Sequence, residues 1–336
     1  MYIKLLDENV EEIKKCEMKP FYNFISLSNL CNANCMFCDV HEKKEILCSL
    51  DVYDLLNQLK DMGANYVHFT GGGEPFANKN ILSYFEYATK LNLKIIFITN
   101  GYALNEKIIE ELEKYNIKAI FFSIDSHRAE IHNRIRGVDG IFDKARNSIK
   151  LIKKKYPRIK IVINHVLTKE NIDSLKEFIK LKEKVDFDYL NPIIVKECPE
   201  YYFSNEQILN YKDSISEIKK LVNEYNISFL YDDIDFFKKN EFLNDGSDLS
   251  KNEVKCFFPS YCSFVDCVTG NVYPCDCSVH RDENFYSLGN LKKHPFKEIW
   301  CSSRACQLRE MVKNYSCSCK VKCDCANVLF NKRIKD

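Results

Sequence analysis

Between Phe21 and Asn226 the chain alternates short runs of β-branched and aromatic residues with longer amphipathic stretches, an order that few folds satisfy. The strand-like runs are Tyr22–Leu27, Tyr66–Thr70, Lys94–Thr99, Ala119–Ile124, Ile159–Val166 and Phe187–Ile193. The helix-like stretches are Leu50–Met62, Ile81–Leu91, Glu106–Tyr115, Ile141–Lys155, Ile172–Lys184 and Glu206–Tyr225, with Gly63 standing where the first would be capped. Neighbouring parallel strands need a crossover long enough to hold a helix, so this order predicts a parallel sheet with right-handed connections.

Such a sheet curls into an α/β fold, a partial (β/α)6 TIM-like barrel, whose working residues gather after the C-terminal ends of the strands. Residues 1–20 read as an N-terminal segment, 21–226 as the barrel, 227–255 as a polar linker and 256–336 as a small cysteine-rich C-terminal domain. The net charge of +1 leaves no footprint for nucleic acid or an anionic membrane. No apolar run approaches the ~20 residues of a membrane helix, and the N-terminus lacks the apolar stretch of a signal peptide. A cytoplasmic protein is expected. Seventeen cysteines, eleven of them from Cys256 to Cys325, are too many for chance in a long, regularly patterned chain. In a reducing compartment they read as metal ligands more readily than as a disulfide scaffold.

The first cysteine group follows the first strand as Cys31-x3-Cys35-x2-Cys38. One loop can present three thiolates to an iron–sulfur cluster and leave the fourth iron open to a substrate. Zinc with a distant fourth ligand, or simple burial, is the alternative, although zinc sites favour paired C-x2-C knuckles. Directly after the second strand comes Thr70-Gly-Gly-Gly-Glu-Pro75, where glycines admit a ligand close to the backbone and Glu74 offers an acceptor for an ammonium group. A tight turn ending in a surface glutamate would read the same way.

Together these two motifs resemble those of the radical S-adenosylmethionine (radical SAM) enzymes. The resemblance implies a 4Fe–4S cluster on Cys31, Cys35 and Cys38, with SAM bound to its open iron. It further implies that Phe37 lies against the adenine and that Gly72, Gly73 and Glu74 hold the methionine amino group. Thr99-Asn100-Gly101 resembles the family's T-N-G turn, and Ser123-Ile-Asp125 its S-[IL]-D segment, with Ser123 towards the ribose. His132-Asn-Arg-Ile-Arg-Gly137 resembles H-D-x-x-R-G, which implies that Arg136 meets a carboxylate; here Asn133 replaces the usual Asp.

The C-terminal segment, Cys256-x5-Cys262-x12-Cys275 with Leu288-Gly-Asn and Trp300 beyond it, resembles the SPASM extension or its shortened twitch form. That implies an auxiliary cluster on Cys256, Cys262, Cys275 and Cys325, and a possible second on Cys317, Cys319 and Cys323. The terminal spacing C-x-C-x3-C-x-C is compressed relative to the family pattern, so two or three clusters in all are expected, with zinc as the alternative. Asp276 follows Cys275 in a Pro-Cys-Asp run and is a candidate base, or an exposed turn residue. Cys267 and Cys277 are candidate hydrogen-atom donors for an epimerisation.

The expected activity is reductive cleavage of SAM and hydrogen abstraction from a substrate carbon, giving oxidation or epimerisation. Only thirty residues precede Cys31, which favours a small polar molecule such as a sugar or aminocyclitol. A ribosomal peptide or protein is the second substrate class, and a non-catalytic metal-binding scaffold the third reading. Flavodoxin or ferredoxin would supply electrons.

Overall fold

The structure, a computed structural model, describes residues 18–38, 48–195, 198–229, 256–279 and 286–314. The alternation reads out as β1 (Tyr22–Ser26), α1 (Val52–Asp61), β2 (Tyr66–Thr70), α2 (Ile81–Lys90), β3 (Lys94–Thr99), α3 (Glu106–Glu111) and β4 (Ile117–Ser123). It continues with α4 (Ala129–Arg136), α5 (Ile141–Lys155), β5 (Lys160–Leu167), α6 (Leu175–Ile179), β6 (Tyr189–Ile194), α7 (Asn205–Glu224) and β7 (Ser228–Phe229). Strands β1 to β7 pair in sequence order and all in parallel.

Local chemistry explains the ends of the helices. Asp51 caps α1 by accepting from the Tyr53 and Asp54 amides, and Val52, Leu55, Leu56 and Leu59 bury one face of it. Ser204 and Gln207 form a reciprocal capping box at the start of α7. Two expected helices are shorter than their hydrophobic patterns. The stretch from Ile172 holds only five α-helical residues between two 3-10 turns. That from Glu106 tightens into a 3-10 turn at Leu112–Lys114. Helix α4 was not evident from the pattern; it is a short helix closed by Gly137.

The C-terminal segment supplies β8 (Cys262–Asp266), β9 (Asn271–Tyr273), β10 (Gly289–Asn290), α8 (Phe296–Trp300) and α9 (Ser303–Asn314). These strands extend the same sheet: β8 pairs in parallel with β1, and β9 and β10 follow antiparallel, giving the order β10-β9-β8-β1-β2-β3-β4-β5-β6-β7. The expected linker contributes β7, and residues 230–255 lie outside the described residues. Trp300, buried in α8, donates its indole N–H to the Met18 carbonyl at 2.7 Å, and the Phe296 amide donates to Gln58 of α1 at 2.6 Å. The segment is therefore packed onto the barrel's first unit as well as paired with it.

Side-chain alternation separates the two faces of the sheet. Phe69 and Phe97 pack on Phe85 of α2, which marks the helix-covered face. On the opposite, interior face His68 lies 5.3 Å, ring to ring, from both Phe24 and Phe121. Its Nδ1 meets the Tyr22 hydroxyl at 2.9 Å, and burial drives its pKa down to about 3, so the ring is neutral. No helix among the described residues is long and apolar enough to cross a membrane.

Candidate SAM and cluster site

Four loops leave the C-terminal ends of four adjacent strands, β1 to β4, and carry the motif residues. The cysteine loop after β1 is held on two sides. Towards β2, Leu30 accepts the Glu74 amide at 2.8 Å, and Ser26 Oγ accepts the Gly72 amide at 2.9 Å. A Cβ on Gly73 would lie 1.9 Å from the Leu30 carbonyl oxygen, so only glycine permits this approach. Towards α4, the Asn34 and Met36 amides donate to the Arg136 and Ile135 carbonyls, each at 3.0 Å. Gly137 completes that junction: it has φ +65°, and a Cβ there would meet the Asn34 carbonyl oxygen at 2.4 Å. The helix's unsatisfied C-terminal carbonyls thus hold the cysteine loop in place.

Within the loop Cys35 is buried, Cys31 and Cys38 are partly exposed, and the Cys38 amide turns back to the Cys35 carbonyl at 3.0 Å. Burial pushes the Cys31 thiol up to about 11, and neighbouring Cys35, Glu74 and Cys38 push the same way. A positively charged iron centre at the Cys31 sulfur would offset that cost of ionising it. A trio sharing one loop suits a cluster, which three thiolates can hold with the fourth iron left open, better than zinc, whose structural sites take four ligands in paired knuckles.

Glu74 is buried at the start of a 3-10 turn, and its carboxylate is fixed by neutral donors. Oε1 accepts from Thr99 Oγ1 at 2.8 Å and from the Phe76 amide at 3.3 Å, while Oε2 accepts from the Asn100 amide at 2.8 Å. Burial raises its pKa to about 6 despite these bonds. A carboxylate so oriented, with neutral neighbours, suits an ammonium group. Asn100 spans the site: its Nδ2 donates to Asn32 of the cysteine loop at 2.8 Å and its Oδ1 accepts the Tyr102 amide at 2.9 Å. Ser123 ends β4 and is buried on the interior face. By register it stands beside Asn164 of β5, which accepts from Asn191 of β6 at 2.6 Å. Sequence reasoning passed over this polar row, since an asparagine inside a strand run carries no motif.

Arg136 meets the carboxylate of Asp125 within the chain itself. Its Nε donates to Asp125 Oδ2 at 2.6 Å, its Nη1 to Cys35 Sγ at 3.6 Å, and its guanidinium carbon lies 5.4 Å from the centre of the Phe37 ring. Burial opposes its charge, but Asp125 and then Cys35 outweigh it and hold the group well protonated. Asp125, wholly buried, was quoted only as part of a motif, and Thr99 likewise. The pairing of Asp125 with an arginine eleven residues on was the available signal.

Three of the C-terminal cysteines, Cys256, Cys262 and Cys275, gather at the other end of the sheet. Cys262 begins β8 opposite Tyr22, the first residue of β1, and Cys275 follows antiparallel β9 at that same end. Burial raises the Cys262 thiol well above its usual range, with Asp276, Cys275 and Cys256 adding to it, so these four side chains are neighbours. Cys256 is tied by its amide to Val312 of α9 at 2.9 Å. The five-residue length of β1 separates this end from the cysteine loop by ~13 Å. Cys317, Cys319, Cys323 and Cys325 lie outside the described residues, as does the Cys277 side chain. Cys267 does not face the interior expected of a hydrogen donor. It follows interior-facing Asp266 by one residue and is fully buried beside the Cys48 thiol, towards Tyr84 of the helix layer.

Residues 25–181 match the radical SAM superfamily, and residues 256–325 match the SPASM iron–sulfur cluster-binding domain. The chain is 24% identical over 160 residues to an AdoMet-dependent heme synthase of Methanosarcina barkeri, a match covering 46% of this chain and 45% of that protein. The chain thus spans under half the length of that relative. A tungsten-containing aldehyde ferredoxin oxidoreductase cofactor-modifying protein of Pyrococcus furiosus is 24% identical over 362 residues, covering 93% of this chain and 96% of its own. Among solved structures, Streptococcus suis SuiB bound to S-adenosylmethionine superposes with a TM-score of 0.68 at 17% identity, covering 95% of this chain and 76% of SuiB.

Proposed function

We propose that this chain, whose residues 25–181 match the radical SAM superfamily and 256–325 the SPASM domain, is a radical SAM enzyme that removes a hydrogen atom from a substrate carbon held inside the barrel. When bound, the cluster and SAM supply a one-electron cleavage that yields methionine and a 5′-deoxyadenosyl radical. The chain's own residues do the rest. Cys31, Cys35 and Cys38 hold the cluster, and Glu74 takes the SAM ammonium, oriented by Thr99 and Asn100. Ser123 faces the ribose, and the apolar interior around Phe24, Phe121 and neutral His68 excludes water and offers the radical no acid. Asp276, beside Cys275, would take the proton that oxidation of an alcohol or thiol releases, and the auxiliary cluster that Cys256, Cys262 and Cys275 would hold would take the remaining electron. The observation that carries this reading is the buried, neutral-donor cradle of Glu74 joined by a backbone bond to the cysteine loop.

A peptide residue is the substrate class with the broader support. SuiB, similar in fold, has been solved with its precursor peptide SuiA, and a mycofactocin maturase of Mycolicibacterium smegmatis is 28% identical over 176 residues. A small polar molecule is the second reading, favoured by the interior row Ser123, Asn164 and Asn191. The experiment is anaerobic reconstitution followed by SAM and dithionite. 5′-Deoxyadenosine should form, and Cys35→Ala should abolish it. A reconstituted, iron-loaded protein that releases none would sink the catalytic reading.

A further inference from the structure

Among the described residues the Arg136 guanidinium touches Asp125, Cys35 and the Phe37 ring, and together these contacts point to a role beyond binding SAM. Asp125 Oδ2 takes its Nε at 2.6 Å, and Asp125 is itself immobile: Oδ1 accepts the Val166 amide at 2.9 Å, its amide donates to His132 Nδ1 at 3.0 Å, and its carbonyl accepts Asn171 Nδ2 at 2.8 Å. The ring of Phe37 covers the guanidinium face. Nη1 then points at Cys35 Sγ, 3.6 Å away, from an arginine side chain only 9% exposed. The same helix end clamps the loop through its backbone at Asn34 and Met36. The charge is therefore aimed from a rigid support at one cluster ligand.

We propose that Arg136 sets the reduction potential of the cluster on Cys31, Cys35 and Cys38, with Asp125 as its positioning residue. This rests on the reading that those cysteines hold the cluster. Gaining an electron makes a cluster more negative, and an N–H donor with a full positive charge at a ligating sulfur stabilises that added charge. Burial keeps the interaction strong, because little water screens it. The arginine thus favours the one-electron reduction by an external donor that must precede SAM cleavage. Lysine would substitute poorly, since its donors radiate from one nitrogen and lack the planar spacing by which Nε and Nη1 reach Asp125 and Cys35 separately.

The test follows the SAM-sensitive component of the electron paramagnetic resonance signal through a redox titration of the reconstituted full chain, with SAM affinity measured alongside. Arg136→Met should cut the reduced-to-oxidised ratio at fixed potential at least tenfold, a fall of about 59 mV for one electron. That variant leaves Asp125 charged and buried, which threatens the fold. The Asp125→Asn/Arg136→Met double variant removes both charges and should shift the ratio in the same direction by at least threefold. Arg136→Lys should recover less than half of the loss. An unmoved potential in both methionine variants, with SAM affinity collapsing instead, would overturn the proposal and return Arg136 to the SAM carboxylate. A wild-type protein with no SAM-sensitive signal would overturn the cysteine-loop reading as well, a result distinct from an unmoved potential.

Discussion

The two cysteine regions of this molecule sit at opposite ends of the same strands and are built in opposite ways. At the C-terminal ends of β1 to β4 one loop carries all three thiols, and its neighbours grip it through the backbone: Leu30 to Glu74, Asn34 to Arg136, Met36 to Ile135. At the other end Cys256, Cys262 and Cys275 come from an α9 contact, the first residue of β8 and the turn after β9. The first site is assembled by contiguous sequence, and the second by the sheet. A local change should therefore destroy the first, whereas the second should depend on how the C-terminal segment docks.

The largest effect is expected at Gly73. Gly73→Ala drives a methyl into the Leu30 carbonyl 1.9 Å away and must separate the two motifs. 5′-Deoxyadenosine release should fall at least ~100-fold, with a stability loss on the order of 3 kcal/mol by chemical denaturation. Retention of both would break the claim that close approach builds this end. Cys275→Ala tests the other end: about four irons should be lost per chain, and substrate conversion should fail. SAM cleavage without product should persist within roughly threefold of wild type. Equal loss of SAM cleavage would show the two ends to be one unit.

Acidity sharpens the comparison further, because Glu74 belongs to the first end alone. Its pKa of about 6 means that the carboxylate is neutral below that pH. SAM affinity should weaken by about tenfold per unit as the pH drops below 6, measured by equilibrium binding, and Glu74→Gln should be weak and pH-insensitive. In the SAM-free protein the sign reverses for stability. A carboxyl raised from 4.5 to about 6 contributes stability below 4.5 that is lost as the pH rises through 6. The smallest effect is expected at the docking contact. Trp300→Phe removes the indole bond to Met18 and should cost about 1 kcal/mol, with SAM cleavage unchanged.

The alternation of strand and helix patterns was sufficient for the parallel sheet, since each of β1 to β6 overlaps its expected run. It missed α4, an eight-residue helix whose apolar residues are Ala129, Ile131 and Ile135 alone and whose start no capping side chain marks. It also failed to anticipate that β8 would join β1, because strand pairing across more than two hundred residues has no local signature. The cysteine loop and Glu74 were legible because the chemistry that uses them requires fixed spacing within single loops. The cradle around Glu74 was legible only as motifs, and its bonds to Thr99 and Asn100 appear once β2 and β3 lie side by side.

Spacing along the chain thus specified what kinds of ligand the protein presents: three thiols after β1, a glutamate after β2, and a cysteine-rich segment at the end. Which groups face one another was settled by packing. Arg136 was legible as a partner for a carboxylate, and the turn of α4 brings it to Asp125 and Cys35. Cys267 reads in the sequence as a spare thiol, and the chain just after β8 buries it beside Cys48. A side chain's type is a property of the sequence, whereas its direction follows from strand alternation, helix rotation and the burial of charge, which exist only once the elements have met.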